Sequence, residues 1–334
     1  MMNRSLSVLV FLLGIVMMVA LTNGSPIDSY HLDASSKWFK YTYGRTAKMG
    51  KSVQFDWAGL WIHNSFVYRE NASMASNDLS VTYHLQDVKN MYNVHVWMVD
   101  ENNKRSELLQ ELVLDTGSDL PNGYVVDLSW NKMNMPSYKV EIILEKRTEA
   151  ELGIVTFSGL TFGVGKENVV EILVPSSKPK QDPANLKMEF VGDSYTCGFG
   201  NMGKPPCDIT PQTQNVHESF VEKTARYLNV EEIHIACMSG KGVVKNWDDS
   251  TWFSKDPVPA YYPRALANNA SSLWDFESFI PDMVVITLGT NDFVSPVFPT
   301  FEQFTHGYQV FLDFIFHNYQ PFKPHLKAVI VVSL

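Results

Sequence analysis

"LVPSSKPKQDPANLKMEFVGDSYTCG", residues 173–198, is where the chain changes its period. Three prolines mixed with serine, lysine and aspartate over residues 173–187 predict an extended linker. Before it, from about residue 36, short alternating segments are broken by turn residues: "KSVQFDW", "GLWIHNSFVY", "LSVTYHL", "YNVHVWMV", "GYVVDLS", "YKVEIIL" and "GIVTFSGLTF". Period-two alternation with β-branched and aromatic residues predicts an antiparallel two-sheet sandwich of jelly-roll type.

After the linker, strands and helices alternate. "KMEFVGD", "EEIHIAC", "PDMVVITLG" and "LKAVIVVSL" read as strands. "HESFVEKTARYLNV" spaces Phe220, Thr224 and Leu228 along one helical face, and "FEQFTHGYQVFLDFIFHNY" does the same with Phe304, Tyr308, Phe311, Leu312 and Ile315. Near-continuous apolar strands between helices predict a parallel sheet covered on both faces. The expected organisation is a multidomain β plus α/β chain. It comprises a signal peptide at 1–24, a β-sandwich at 25–172, a linker at 173–187 and an α/β domain at 188–334.

The 334 residues are 45% hydrophobic and 19% charged, with a formal net charge of -9. An acidic balance argues against nucleic acid as a partner. The opening "MMNRSLSVLVFLLGIVMMVALTNGS" carries Arg4 before an apolar run and small residues after it. That pattern predicts a secretory signal cleaved near Gly24, with an uncleaved anchor as the alternative. No later segment is apolar enough to cross a bilayer, so the expectation is a secreted protein with no membrane contact after cleavage. Sequons at Asn71 and Asn269 are then candidate glycosylation sites. Of the three cysteines, Cys197 and Cys207 flank a Gly/Pro-rich loop and are expected to pair, leaving Cys237 as a buried thiol. No Cys/His spacing fits zinc, and neither metal nor cofactor is implied.

Three polar, glycine-bearing segments follow three of the later strands: "GDSYTCG" (192–198), "MSGKGV" (238–243) and "GTND" (289–292). In a parallel sheet all three emerge at the carboxyl edge, where ligands bind. Ser194 offers a hydroxyl and its own N–H, Gly240 an unobstructed N–H, and Asn291 a side-chain amide. A hydroxyl beside convergent donors is what acyl transfer needs. Singly, each has an ordinary explanation: Ser194 a helix cap, Gly240 a turn residue, Asn291 another cap. Their joint occurrence in this order, each after an apolar strand, favours the catalytic reading.

The three segments resemble blocks one to three of the SGNH (GDSL-like) hydrolases. The fuller "VGDSYTCGFGN", the "SGKGVVKNW" form of the second block and a β-sandwich in front resemble carbohydrate esterase family two. The resemblance implies a jelly-roll domain joined to a flavodoxin-like α/β/α hydrolase domain, and a carboxylic ester hydrolase of the acetyl xylan esterase type. Its substrate would be an acetylated polysaccharide or oligosaccharide (xylan, mannan or glucan). It further implies Ser194 as nucleophile, with its own N–H, Gly240 N–H and Asn291 forming the oxyanion hole. Trp247 is a candidate platform for a sugar ring or a core residue. Asp193 and Asp292 are expected to orient neighbouring loops.

The family's histidine follows a further strand near the C-terminus, whereas this sequence stops at "AVIVVSL", residues 328–334. None of the nine histidines matches that position. The expectation is a C-terminally truncated copy without its base, whose last strand leaves Val329 or Val331 uncovered. Two other functions fit the sequence: a non-catalytic glycan-binding protein, and an SGNH esterase or lipase acting on other esters.

Overall fold

The computed structural model describes residues 30–69, 79–87, 89–100, 104–116, 124–127, 137–164, 169–173, 175, 186–206, 210–294 and 296–331. The signal segment, most of the linker, Asn71 and Cys207 lie outside them.

The first half is antiparallel sheet. Its strands are β1 (Tyr30–Asp33), β2 (Phe39–Thr42), β3 (Ala47–Met49), β4 (Ser52–Phe55), β5 (Trp61–Arg69), β6 (Leu79–Gln86), β7 (Met91–Val99), β8 (Arg105–Asp115), β9 (Tyr124–Asp127), β10 (Ser137–Lys146), β11 (Val155–Val164) and β12 (Val169–Leu173). One sheet runs β3-β4-β11-β6-β9 with β1 beside β11; the other runs β12-β5-β10-β7-β8 with β2 beside β5. Alternation puts every second side chain inward. Leu79, Val81, Tyr83 and Leu85 of β6 therefore share one core with Val94 and Val96 of β7, Val140, Ile142 and Leu144 of β10, and Phe157 of β11. Strand β8 has no sequence forecast, because it is an edge strand whose charged side chains stay mostly exposed.

The second half holds a four-stranded, wholly parallel sheet. It is built from β13 (Lys187–Gly192), β14 (Glu232–Cys237), β15 (Met283–Thr287) and β16 (Lys327–Val331), in the order β14-β13-β15-β16. Short helices α1 (Ser194–Cys197), α3 (Val258–Tyr261) and α4 (Thr290–Phe293) accompany two longer ones, α2 (Phe220–Tyr227) and α5 (Phe301–Tyr319). Met188, Phe190, Ile233 and Ile235 pack toward Val221 and Ala225 of α2. The opposite strand faces, Val191, Ala236, Val284 and Ile286, pack on Tyr308, Phe311, Ile315 and Tyr319 of α5. The expected face of α5 is thus confirmed. That of α2 is corrected: Val221, Glu222 and Ala225 are buried while Phe220 and Leu228 are exposed. Both triplets share the helical spacing, and the sheet selects the smaller side chains. Val329 is 40% exposed on β16.

Buried polar contacts join the two halves. Arg45 donates to Glu189 Oε1 at 2.9 Å, with both side chains almost wholly buried. Within the parallel-sheet half, Tyr319 donates to the other carboxylate oxygen of Glu189 at 2.9 Å. Asp56 accepts the N–H groups of Ala267 and Asn268, each at 2.9 Å. A buried charge is tolerable only when paired or hydrogen-bonded; the Arg45–Glu189 pair is both, and Asp56 is held by its hydrogen bonds.

Candidate active site

The site is built where three parallel strands end. β13 ends at Gly192, and Asp193 caps α1 by accepting the Tyr195 N–H at 3.1 Å. Gly198, in the left-handed region, ends the helix after one turn. Ser194 is therefore held half-buried at the first helical position, where an N–H has no intrahelical acceptor. Among the described residues neither its N–H nor its hydroxyl has a hydrogen-bond partner.

Gly240 follows β14 by three residues with φ +73°, and a Cβ there would stand 2.8 Å from Cδ1 of Trp247. Both the backbone and the space require glycine. Its carbonyl accepts the Trp247 N–H at 3.0 Å, while its own N–H has no partner among the described residues. Asn291, buried on α4 just after β15, donates through Nδ2 to Lys241 O at 2.9 Å and to Asp193 Oδ2 at 3.3 Å. One side chain therefore ties the loop of Ser194 to the loop of Gly240. The three separate segments form one cluster.

Two buried aspartates hold this cluster. Asp292 accepts the N–H groups of Val243 at 3.0 Å, Val244 at 2.7 Å and Lys245 at 2.9 Å, fixing the loop after Gly240. Burial raises its carboxyl above the ordinary range, and those N–H bonds oppose the rise. Burial also lifts Asp193 to about 6, opposed by the Tyr195 N–H and reinforced by the charge of Asp292. Both aspartates orient loops, as the sequence reading expected.

Trp247 is 55% exposed, so it is not a core residue; its ring lies against the bare Cα of Gly240. Asn269 sits exposed in a turn, its side chain accepting the Ser271 N–H. The cysteine pairing is corrected: Cys197 bonds to Cys237, with Cα atoms 5.6 Å apart. The parallel register sets Gly192 beside Cys237, and the α1 turn then carries Cys197 over the end of β14. The bridge pins the Ser194 turn to the strand that leads to Gly240.

No histidine bonds to Ser194 among the described residues. His31, His63, His84 and His95 belong to the antiparallel half. Buried His217 meets Glu222 at 3.3 Å and the Lys146 carbonyl at 3.2 Å. His234 stacks on Phe279 with ring centroids 3.7 Å apart. His306 and His317 are exposed on α5, and His325 is exposed just before β16. Within the described residues a cleft of about 700 Å³ lies between the halves, beside Trp61, Arg147, His217 and Glu222; Ser194, Gly240 and Asn291 do not line it.

Sequence reasoning missed Glu149, which follows β10 and is 1% exposed. Its carboxylate accepts the Ser239 N–H at 2.5 Å and the Ser239 hydroxyl at 2.7 Å. It lies 90 residues before Ser239 in the other half, so no local spacing could have announced it.

Known proteins resemble the chain in both sequence and fold. It is 37% identical over 182 residues to the cellulase/esterase CelE of Acetivibrio thermocellus, a match covering 53% of this chain and 20% of that protein. It is 27% identical over 201 residues to an acetylxylan esterase/glucomannan deacetylase of Cellvibrio japonicus, covering 60% of this chain and 50% of that one. A family two carbohydrate esterase from Clostridium thermocellum, solved in complex with cellohexaose, superposes with a TM-score of 0.65 at 26% identity, covering 88% of this chain and 77% of that one. The chain resembles the family two carbohydrate esterases. No protein-family model matches it. The matches span between about a fifth and a half of the length of these curated relatives. This chain, built of three sheets with few long helices among its described residues, shares its fold with those solved family two structures.

Proposed function

We propose that the protein is a secreted serine esterase that removes O-acetyl groups from polysaccharides or oligosaccharides. The observation that carries this reading is the cluster itself: a Ser194 hydroxyl and amides at Ser194 and Gly240 without hydrogen-bond partners among the described residues, and Asn291 bridging their loops. In this reading the Ser194 oxygen attacks the acetyl carbonyl, and the carbonyl oxygen becomes an oxyanion. The two N–H groups stabilise that charge, and Asn291 adds its amide by exchanging its longer bond, the one to Asp193. As the tetrahedral intermediate collapses, the C–O bond to the sugar breaks and the departing sugar oxygen takes the proton that the Ser194 hydroxyl gave up. Water then adds to the acetyl–Ser194 carbonyl, its hydroxyl going to acetate and its proton restoring the Ser194 hydroxyl. The reaction as written uses no metal and no cofactor.

The sandwich is read as a jelly roll and the parallel-sheet half as an SGNH hydrolase domain, divided at residues 173–187. Exposed Trp247 would stack on a sugar ring at the mouth of the site. Glycans at Asn71 and Asn269, with a cleaved segment at 1–24, fit an extracellular protein. The names of the relatives, acetylxylan esterase and glucomannan deacetylase, support this substrate class.

A second reading, non-catalytic glycan binding, has one observation in its favour: none of the nine histidines stands against Ser194. The esterase reading therefore assigns the base role to none of the nine. The test is acetate release from acetylated xylo- and manno-oligosaccharides beside long-chain aryl esters. Turnover of the sugars supports the proposal, turnover of long-chain esters alone supports a lipase, and binding without turnover supports the second reading.

A further inference from the structure

We propose that Glu149, contributed by the antiparallel half, is the positioning residue for the oxyanion-binding amide of Gly240. The inference rests on the reading of Ser194, Gly240 and Asn291 as an acyl-transfer centre.

The N–H of Gly240 lies in the plane of the peptide linking it to Ser239, so its direction is set by how Ser239 is held. On β14 the ladder bonds end one residue earlier, with Met238 N–H donating to Gly192 O at 3.1 Å. Ser239 has no strand partner for its N–H and turns to Glu149 instead. One carboxylate oxygen takes the Ser239 N–H at 2.5 Å and the other takes the Ser239 hydroxyl at 2.7 Å. Two bonds to one rigid carboxylate fix the residue in position and rotation, as a single bond would not. On the far side of Gly240, the Lys241 carbonyl is held by Asn291 at 2.9 Å, and the Gly240 carbonyl by the Trp247 N–H at 3.0 Å. The glycine is thus clamped on both flanks, and its left-handed φ is the only one of its kind in that loop.

Glu149 is itself held. Gln214 donates to its Oε1 at 3.1 Å, and the neighbouring Asn215 N–H reaches Gly198 O, at the end of the Ser194 turn, at 3.3 Å. The same carboxylate therefore sits between the supports of the nucleophile turn and of the oxyanion loop. Burial raises its pKa, and the hydrogen bonds from Ser239 and Gln214 oppose that rise. A buried acid is costly to desolvate, and this one is held in place by two donors of Ser239 and one of Gln214. Its geometry makes the antiparallel half part of the catalytic apparatus rather than only an appendage.

The test compares Glu149→Ala, Glu149→Gln and Ser239→Ala with the parent in the full-length protein, using an aryl acetate and an acetylated oligosaccharide. Misplacing a transition-state donor acts on kcat, at about ten- to a hundredfold, with KM shifted less than about threefold. Glu149→Ala should show that loss. Glu149→Gln, whose amide oxygen still accepts a bond, should recover part of it, and Ser239→Ala should lose a smaller part. Amide exchange read by ¹⁵N NMR should accelerate at Ser239 and shift the Gly240 resonance in Glu149→Ala. Should Glu149→Ala prove unfolded, the Gln and Ser239 variants decide the matter. Full kcat in all folded variants, with an unmoved Gly240 amide, would overturn the proposal while leaving Ser194 untouched. Activity that survives Ser194→Ala would instead overturn the acyl-transfer reading beneath it.

Discussion

The Asn291 side-chain amide lies 3.3 Å from the carboxylate of Asp193, the residue that caps the Ser194 turn. With its 2.9 Å bond to Lys241 O, it closes a bridge between the ends of β13, β14 and β15. Both amide hydrogens are engaged at rest, and on the proposed reading the longer bond is the one an oxyanion displaces.

Asn291→Ala should therefore cost turnover more than binding. Removing one oxyanion donor typically costs about 2.7–4 kcal/mol, or roughly a hundred- to thousandfold in kcat. KM should change little, because the donor acts on the charged intermediate. Steady-state kinetics on an acetylated oligosaccharide measure this directly; a loss confined to KM contradicts the oxyanion role.

The raised carboxyl of Asp193, near 6, makes a stability prediction with a definite sign. Between about pH 4 and pH 6 the folded protein holds a proton that the unfolded chain has released. The stability this group contributes is thus fullest below the unfolded value and is lost as pH rises through 6. Between about pH 8 and pH 5 the linkage amounts to about 1.4 kcal/mol in favour of the lower pH. Asp193→Asn should remove that increment. The check is urea denaturation of both proteins at the two pH values, where an unchanged difference refutes the assignment.

Reducing the Cys197–Cys237 bridge frees a loop of sequence separation 40, worth about 4 kcal/mol on chain-entropy grounds. Cys237→Ala should lower Tm by several degrees and slow catalysis, since the bridge anchors the Ser194 turn. Cys207→Ser should do neither. Thermal melts with and without reductant would show equal losses for the two variants if the pairing were wrong.

Much of this arrangement was legible in the sequence because it is local. Apolar runs such as "MVVITLG" end in a glycine-bearing segment, and parallel strands must deliver such segments to one edge. The alternation in β6 and β10 likewise announces a two-sided sheet. What failed was long-range. Cys207 is nearest to Cys197 in the chain, but the register of β13 beside β14 sets Cys237 within bonding reach of Cys197. Strand β8 hid behind its own charges. The α2 face was ambiguous because Phe220 and Val221 begin equally good helical spacings, and only the sheet beneath selects between them. Glu149 carried no signal at all, since its role depends on docking between halves.

The most direct test of the account is acetate release from acetylated xylo-oligosaccharide by the full-length protein and its Ser194→Ala variant, at equal concentration and with matched thermal melts. The account predicts turnover by the parent, loss of at least about a thousandfold in the variant, and melting temperatures within about two degrees. A variant that melts like the parent and keeps more than a trace of its activity would show that Ser194 is only a helix cap.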